Sequence, residues 1–153
     1  AGKAGLLCLA EAKKRVAPPG KGICMEYSPR QCEIVRSLGI ADVVLEADAK
    51  KPLEALDIYQ NALGDQLADF TVNTVSVPNT ELATVLVTKD TGMVYFFSMS
   101  TDFAKASLGA EGIKKYVPML IGNGYYPGHA EIAFDAVRRE EKLRDYFTKR
   151  YCK

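Results

Sequence analysis

Residues Glu81-Leu-Ala-Thr-Val-Leu-Val-Thr-Lys-Asp-Thr-Gly-Met-Val-Tyr-Phe-Phe-Ser-Met-Ser100 decide how this chain reads. Two apolar, β-rich runs, Glu81 to Thr88 and Met93 to Ser100, flank Lys89-Asp90-Thr91-Gly92. That spacing predicts a β-hairpin closed by a short glycine-containing loop. Val85, Leu86 and Val87 in one arm, and Val94, Tyr95, Phe96 and Phe97 in the other, make both faces apolar. Such a hairpin belongs inside a covered sheet.

Toward the N-terminus, Phe70 to Val77 is β-branched and ends at Pro78-Asn79, which predicts a further strand. Pro52 opens a helix that Gly64 stops, with Leu53, Leu56, Tyr59 or Gln60, and Leu63 at helical spacing. Residues 40–46 suit a short buried strand, with helix as the alternative. Ser28 caps an earlier helix: Pro29 takes its first position, Gln31 completes a capping box and Gly39 ends it. Residues 4–17 read as a first helix, and 17–22, with Pro18, Pro19 and Gly20, as a linker.

Toward the C-terminus, Thr101 or Asp102 caps a helical stretch that Gly109 and Gly112 interrupt before Ile113 to Val117. A glycine-rich loop, 121–128, then feeds one amphipathic helix running from near His129 toward Tyr151. Its stripe is Ala130, Ala133, Phe134, Val137, Leu143, Phe147 and Tyr151. The expectation is a single α/β (or α+β) domain over 1–153. It has a small, mostly covered sheet with a central hairpin at about 81–100, packed by the N-terminal helices and a C-terminal helix.

Composition bounds the function classes. The 153 residues are 48% hydrophobic and 25% charged, with 12 Gly and 7 Pro, which excludes intrinsic disorder and a collagen-like fibre. No apolar run approaches the roughly 18 residues of a membrane-spanning helix, so no membrane partner is expected. The net charge of +1 exerts no global pull on nucleic acid. Locally, however, residues 138–153 carry seven basic side chains against three acidic ones. This basic helix, Arg138 included, can line a phosphate-bearing ligand or form a solvated face with i,i+4 pairs.

Cys8, Cys24, Cys32 and Cys152 are widely spaced and contain no C-x-x-C pair. They read as disulfide candidates rather than metal ligands, and with Ala1 in first place they point to a secreted protein. Four unpaired thiols of a cytosolic chain are the alternative.

His129 is the sole histidine, at a predicted helix start with Glu131 two residues on. The positive end of the helix dipole favours the neutral imidazole that metal binding or proton abstraction needs. The bland reading makes Glu131 a helix-terminal carboxylate and His129 a loop hydrogen-bonding residue.

The segments ATVLVTKDTGMVYFF (83–97) and GYYPGHAEIAFDAV (124–137) together resemble the first half of the zinc-dependent cytidine-deaminase superfamily, in particular its secreted toxin-type members. The resemblance implies His129 as a zinc ligand and Glu131 as the general acid/base, with Tyr125 and Tyr126 stacking a nucleobase or simply packing the loop. The family's downstream P-C-x-x-C is absent, so two zinc ligands are missing. Function expected on this basis is that of a secreted toxin-like effector acting on nucleic acid or a nucleotide, with zinc or no cofactor. A metal-free ribonuclease using His129 and Glu131 is one alternative. A cysteine hydrolase built on Cys24 or Cys32 with His129 is another. A secreted, disulfide-stapled binding protein without catalysis is the third.

Overall fold

The computed structural model describes residues 1–122 and 125–152; Asn123 and Gly124, in the expected glycine-rich loop, lie outside the described residues. Among the described residues the order is α1 (Lys3–Arg15), β1 (Ile23–Glu26), α2 (Pro29–Leu38), β2 (Val43–Glu46), α3 (Pro52–Leu63), β3 (Ala68–Asn73), α4 (Glu81–Leu86), β4 (Thr88–Phe96), α5 (Phe103–Gly112), β5 (Met119–Ile121), α6 (His129–Arg139) and α7 (Glu141–Tyr151). The expected α/β class is found, with two small, open parallel sheets. No described helix is long and apolar enough to cross a membrane. The chain divides into two compact units, Ala1–Leu45 with Tyr125–Lys153, and Glu46–Gly124.

In the first unit β1 and β2 pair, with α2 as the crossover. Residues 17–22 join α1 to β1 there. α2 forms where its end signals place it. Ser28 Oγ accepts from Gln31 N at 3.4 Å, Pro29 occupies the first turn, and Gly39 ends the helix in the left-handed region at φ 66°. The capping box does not close, because the Gln31 side chain goes elsewhere. Leu6, Ala10, Cys24, Val35, Leu38, Ile40, Ala136 and Leu143 make one buried cluster. Truncating Leu6 or Leu143 to Ala there would cost about 2–5 kcal/mol.

The expected single C-terminal helix is two. α6 ends at Arg139, and Glu140 is extended at φ −95°, ψ 94° before α7 begins. The expected stripe is not the face that is buried: Phe134 is 57% exposed, whereas Ala136 of α6 and Leu143 of α7 are both fully buried.

In the second unit the hairpin is not formed. Glu81 to Leu86 is helix α4, and Lys89 to Gly92 lies inside the single strand β4. β4 sits between β3 and β5, parallel to both, so β3-α4-β4-α5-β5 is a helix-crossover sheet and not a meander. Strand β5 falls where the sequence indicated only the start of a loop. Residues 84–86 are helical in spite of their β-branched neighbours, and the threonine hydroxyls here are satisfied backward along the chain. Thr84 Oγ1 donates to Thr80 O at 2.9 Å, and Thr88 Oγ1 to Thr84 O at 2.7 Å. Packing of α4 against α3 and α5 overrides β propensity.

Lys89-Asp90-Thr91-Gly92 is a bulge. Two steps along β3, from Ala68 to Phe70, face five along β4, from Thr88 to Met93. Lys89 pairs with Asp69 across it and holds that carboxyl below the usual carboxylate range. Gly92 is there for close approach: a Cβ would lie 2.6 Å from Asp69 O and 3.0 Å from Lys89 O. At the far end of the sheet, a Cβ on Gly122 would meet the Tyr95 hydroxyl at 1.5 Å.

Val85, Val94, Phe96, Ala106, Ala110 and Val117 bury one face of this sheet under α4 and α5. The other face carries Phe70 and Leu120, 56% and 50% exposed. The sheet expected to be mostly covered is covered on one side.

Candidate functional site

His129 is the first residue of α6, behind Gly128, which takes the left-handed conformation at φ 84°. Its Nδ1 lies 2.7 Å from Tyr126 O, and the Tyr125 ring meets its ring edge-on with centroids 5.2 Å apart. A carbonyl oxygen only accepts, so Nδ1 is the donor in this contact. Glu131, two residues on, projects about 200° around the helix from His129. Histidine, Glu131, Tyr125, Tyr126 and Arg138 are all exposed. Arg138 spends its guanidinium over the Phe134 ring, 5.8 Å from its centroid. The structure therefore gathers His129 with Tyr125 and Tyr126, and leaves Glu131 and Arg138 apart from them. Among the described residues no group of three or more His, Cys, Asp or Glu side chains converges on one point, which does not fit a zinc site at His129.

The disulfides expected from Cys8, Cys24, Cys32 and Cys152 are not formed; all four are free thiols. Cys8 and Cys152 are exposed, whereas Cys24 in β1 and Cys32 in α2 are buried. Burial pushes the Cys24 thiol up, which makes it an inert core group and no nucleophile. Cys32 Sγ donates to the Glu26 carbonyl at 3.6 Å.

That last contact belongs to a second constellation. Helix α1 begins at Gly2, whose lack of a side chain leaves the first-turn N–H groups uncapped, and a Cβ there would meet nothing within 4 Å. Gly5, one turn in, is buried. β1 ends on Glu26, whose side chain is 17% exposed. One carboxylate oxygen accepts from Ser28 N at 3.0 Å and the other pairs with the Ala1 nitrogen. Gln31 Nε2 donates to Ala1 O at 2.6 Å. An uncapped, glycine-begun helix thus stands against a carboxylate at the end of a parallel strand. The helix end suits an anionic phosphate, and the carboxylate suits sugar hydroxyls. Sequence reading missed this site. Its signal was Gly2-x-x-Gly5 opening a helix and Glu26 closing the next strand. It falls short of G-x-G-x-x-G, which the chain does not contain.

The fold places the chain in the α/β class. Comparison with known proteins narrows it. No protein-family description matches the chain. It is 44% identical over 151 residues to the L-erythro-3,5-diaminohexanoate dehydrogenase of Acetoanaerobium sticklandii, and 41% identical over 151 residues to that of Fusobacterium nucleatum subsp. nucleatum. Each match takes in 99% of this chain and 44% of the relative, so the chain spans less than half the length of these curated relatives. The likeness to cytidine deaminases and secreted toxins is thereby corrected. Relatives over nearly the whole chain carry a dehydrogenase name, and the deaminase-like stretch was a local coincidence resting on a hairpin that does not exist. Zinc as cofactor goes with it. The expectation of secretion, drawn from cysteine spacing together with the Ala1 start, is corrected too: the thiols are free, and the relatives are named as dehydrogenases and not as secreted toxins.

Proposed function

We propose that this chain is the nucleotide-holding part of a nicotinamide-dependent dehydrogenase. Its substrate class is that of L-erythro-3,5-diaminohexanoate, a short carboxylate bearing two amines. The observation that carries this reading is the 44% identity maintained over 151 residues with a protein of that name. The residues at the start of the first unit fit the dinucleotide. The free N–H groups of α1 face a pyrophosphate, Gly2 admits it closely, and Glu26 accepts from ribose hydroxyls. A carboxylate at that position repels a 2′-phosphate, so the cofactor is NAD and not NADP. Bound NAD supplies a hydride acceptor for a C–H bond at an amine-bearing carbon of the substrate. His129, whose Nδ1 is held on Tyr126 O, offers Nε2 as the group in this chain suited to take the proton that the amine releases.

The test is the full-length protein mixed with L-erythro-3,5-diaminohexanoate and either NAD or NADP, followed by the absorbance of the reduced nicotinamide. Reduction of NAD is expected. Reduction of neither cofactor overturns the dehydrogenase reading, and a preference for NADP overturns the role given to Glu26.

A further inference from the structure

We infer that Gln31 is a positioning residue of this nucleotide site, holding the glycine-begun end of α1 against Glu26 before the cofactor arrives. The inference rests on the dinucleotide reading above and adds to it a residue that touches neither cofactor nor substrate.

Three contacts carry it. Ser28 and Gln31 have the spacing of a reciprocal capping box, in which the glutamine side chain would return to Ser28 N–H. That N–H is instead taken by Glu26 Oε1 at 3.0 Å, which frees the Gln31 amide to reach 30 positions back along the chain. It finds Ala1 O, and at 2.6 Å this is a short, partly buried hydrogen bond. The Gln31 backbone is itself pinned, since its N–H donates to Ser28 Oγ and Pro29 stiffens the turn before it. One turn of α2 therefore grips both halves of the site, the carboxylate through Ser28 N–H and the Ala1-Gly2 segment through Gln31.

The physical consequence concerns entropy. A segment containing Gly2 has wide backbone freedom, and ordering it at the moment of binding weakens affinity. A hydrogen bond that orders it beforehand removes that loss. The contact orders a cofactor-holding segment, so it acts on cofactor affinity and leaves turnover alone.

The experiment uses the full-length protein with Gln31→Met, which keeps the length and removes the donor, and Gln31→Lys, which restores a donor. Kd and KM for NAD, kcat and Tm are measured for each. Gln31→Met should raise Kd and KM for NAD about ten-fold, the effect of one lost hydrogen bond, with kcat and Tm unchanged. Gln31→Lys should recover most of the affinity. If Gln31→Met binds NAD as tightly as the wild type, the inference is wrong and the dehydrogenase reading stands. If kcat and Tm fall together with affinity, or lysine rescues nothing, Gln31 is an ordinary structural residue. If the wild type itself binds no NAD, the dinucleotide reading has failed first.

Discussion

Strands β1 and β3 each end on a polar residue and hand the chain to a helix crossover, yet the two ends are finished in different ways. At the end of β3, Asn73 is 6% exposed and wholly spent. Its Nδ2 donates to Thr80 Oγ1 at 3.0 Å and Thr84 Oγ1 at 2.9 Å, and its Oδ1 accepts from Val75 N at 2.9 Å. Glu81 beside it is also buried and accepts from Asp102 N, tying α4 to the start of α5. At the end of β1, Glu26 keeps part of its carboxylate at the surface, next to a helix start with no side-chain cap. The first arrangement seals a strand end; in the reading proposed above, the second is the one that receives a ligand. A buried polar network with every group satisfied is rigid, and it has no capacity left for a guest.

This contrast can be broken by crossed substitutions. The largest effect expected is from Glu26→Ala, which should weaken NAD binding by about 1.5–3 kcal/mol, the range for a hydrogen bond to a charged group. Tm should move little, and titration calorimetry of the full-length protein with NAD reads both claims against the wild type. Asn73→Ala should do the reverse. Leaving Thr80 and Thr84 without their donor inside the fold costs about 2 kcal/mol, measured by denaturant unfolding, while the Kd for NAD stays put. If Asn73→Ala weakens NAD binding as much as Glu26→Ala does, the division into sealed and receiving ends is wrong.

A smaller loss, about 1–2 kcal/mol of overpacking, is expected from Gly92→Ala in the same unfolding assay, because the new methyl would press on Asp69 O. Were Gly92 the turn residue of a free hairpin loop with a solvent-facing Cβ, the alanine variant would unfold at the wild-type midpoint. The smallest effect is none at all. With four free thiols, adding a thiol reductant should leave the unfolding midpoint unchanged, and a drop would mean that a disulfide holds the receiving end together.

The sequence made some of this plain and hid the rest for definable reasons. Helices α2 and α3 were legible because their ends are local events: Ser28 caps, Pro29 and Pro52 open, Gly39 and Gly64 stop. Strand β3 was legible from its β-branched residues, to within a few positions. Helix α4 was not, since Thr84, Val85 and Val87 favour strands when judged alone. Packing on α3 and α5, which no local signal reports, makes the helix the better state. The division of α6 from α7 was not legible, because neither glycine nor proline marks Glu140, where the backbone turns extended. His129 drew attention because a short motif is read within a few residues.

From its order of residues alone, this chain set an α/β class, its strongest helix boundaries and an unremarkable net charge, because caps, breakers and periodicity act over a turn or two. Tertiary structure alone decided that β3, β4 and β5 run parallel, that the cysteines remain thiols, and that Glu26 meets the start of α1. Those outcomes depend on which distant groups are brought within hydrogen-bond or packing distance. Gln31 and Ala1, 30 positions apart and 2.6 Å from each other, are the plainest case.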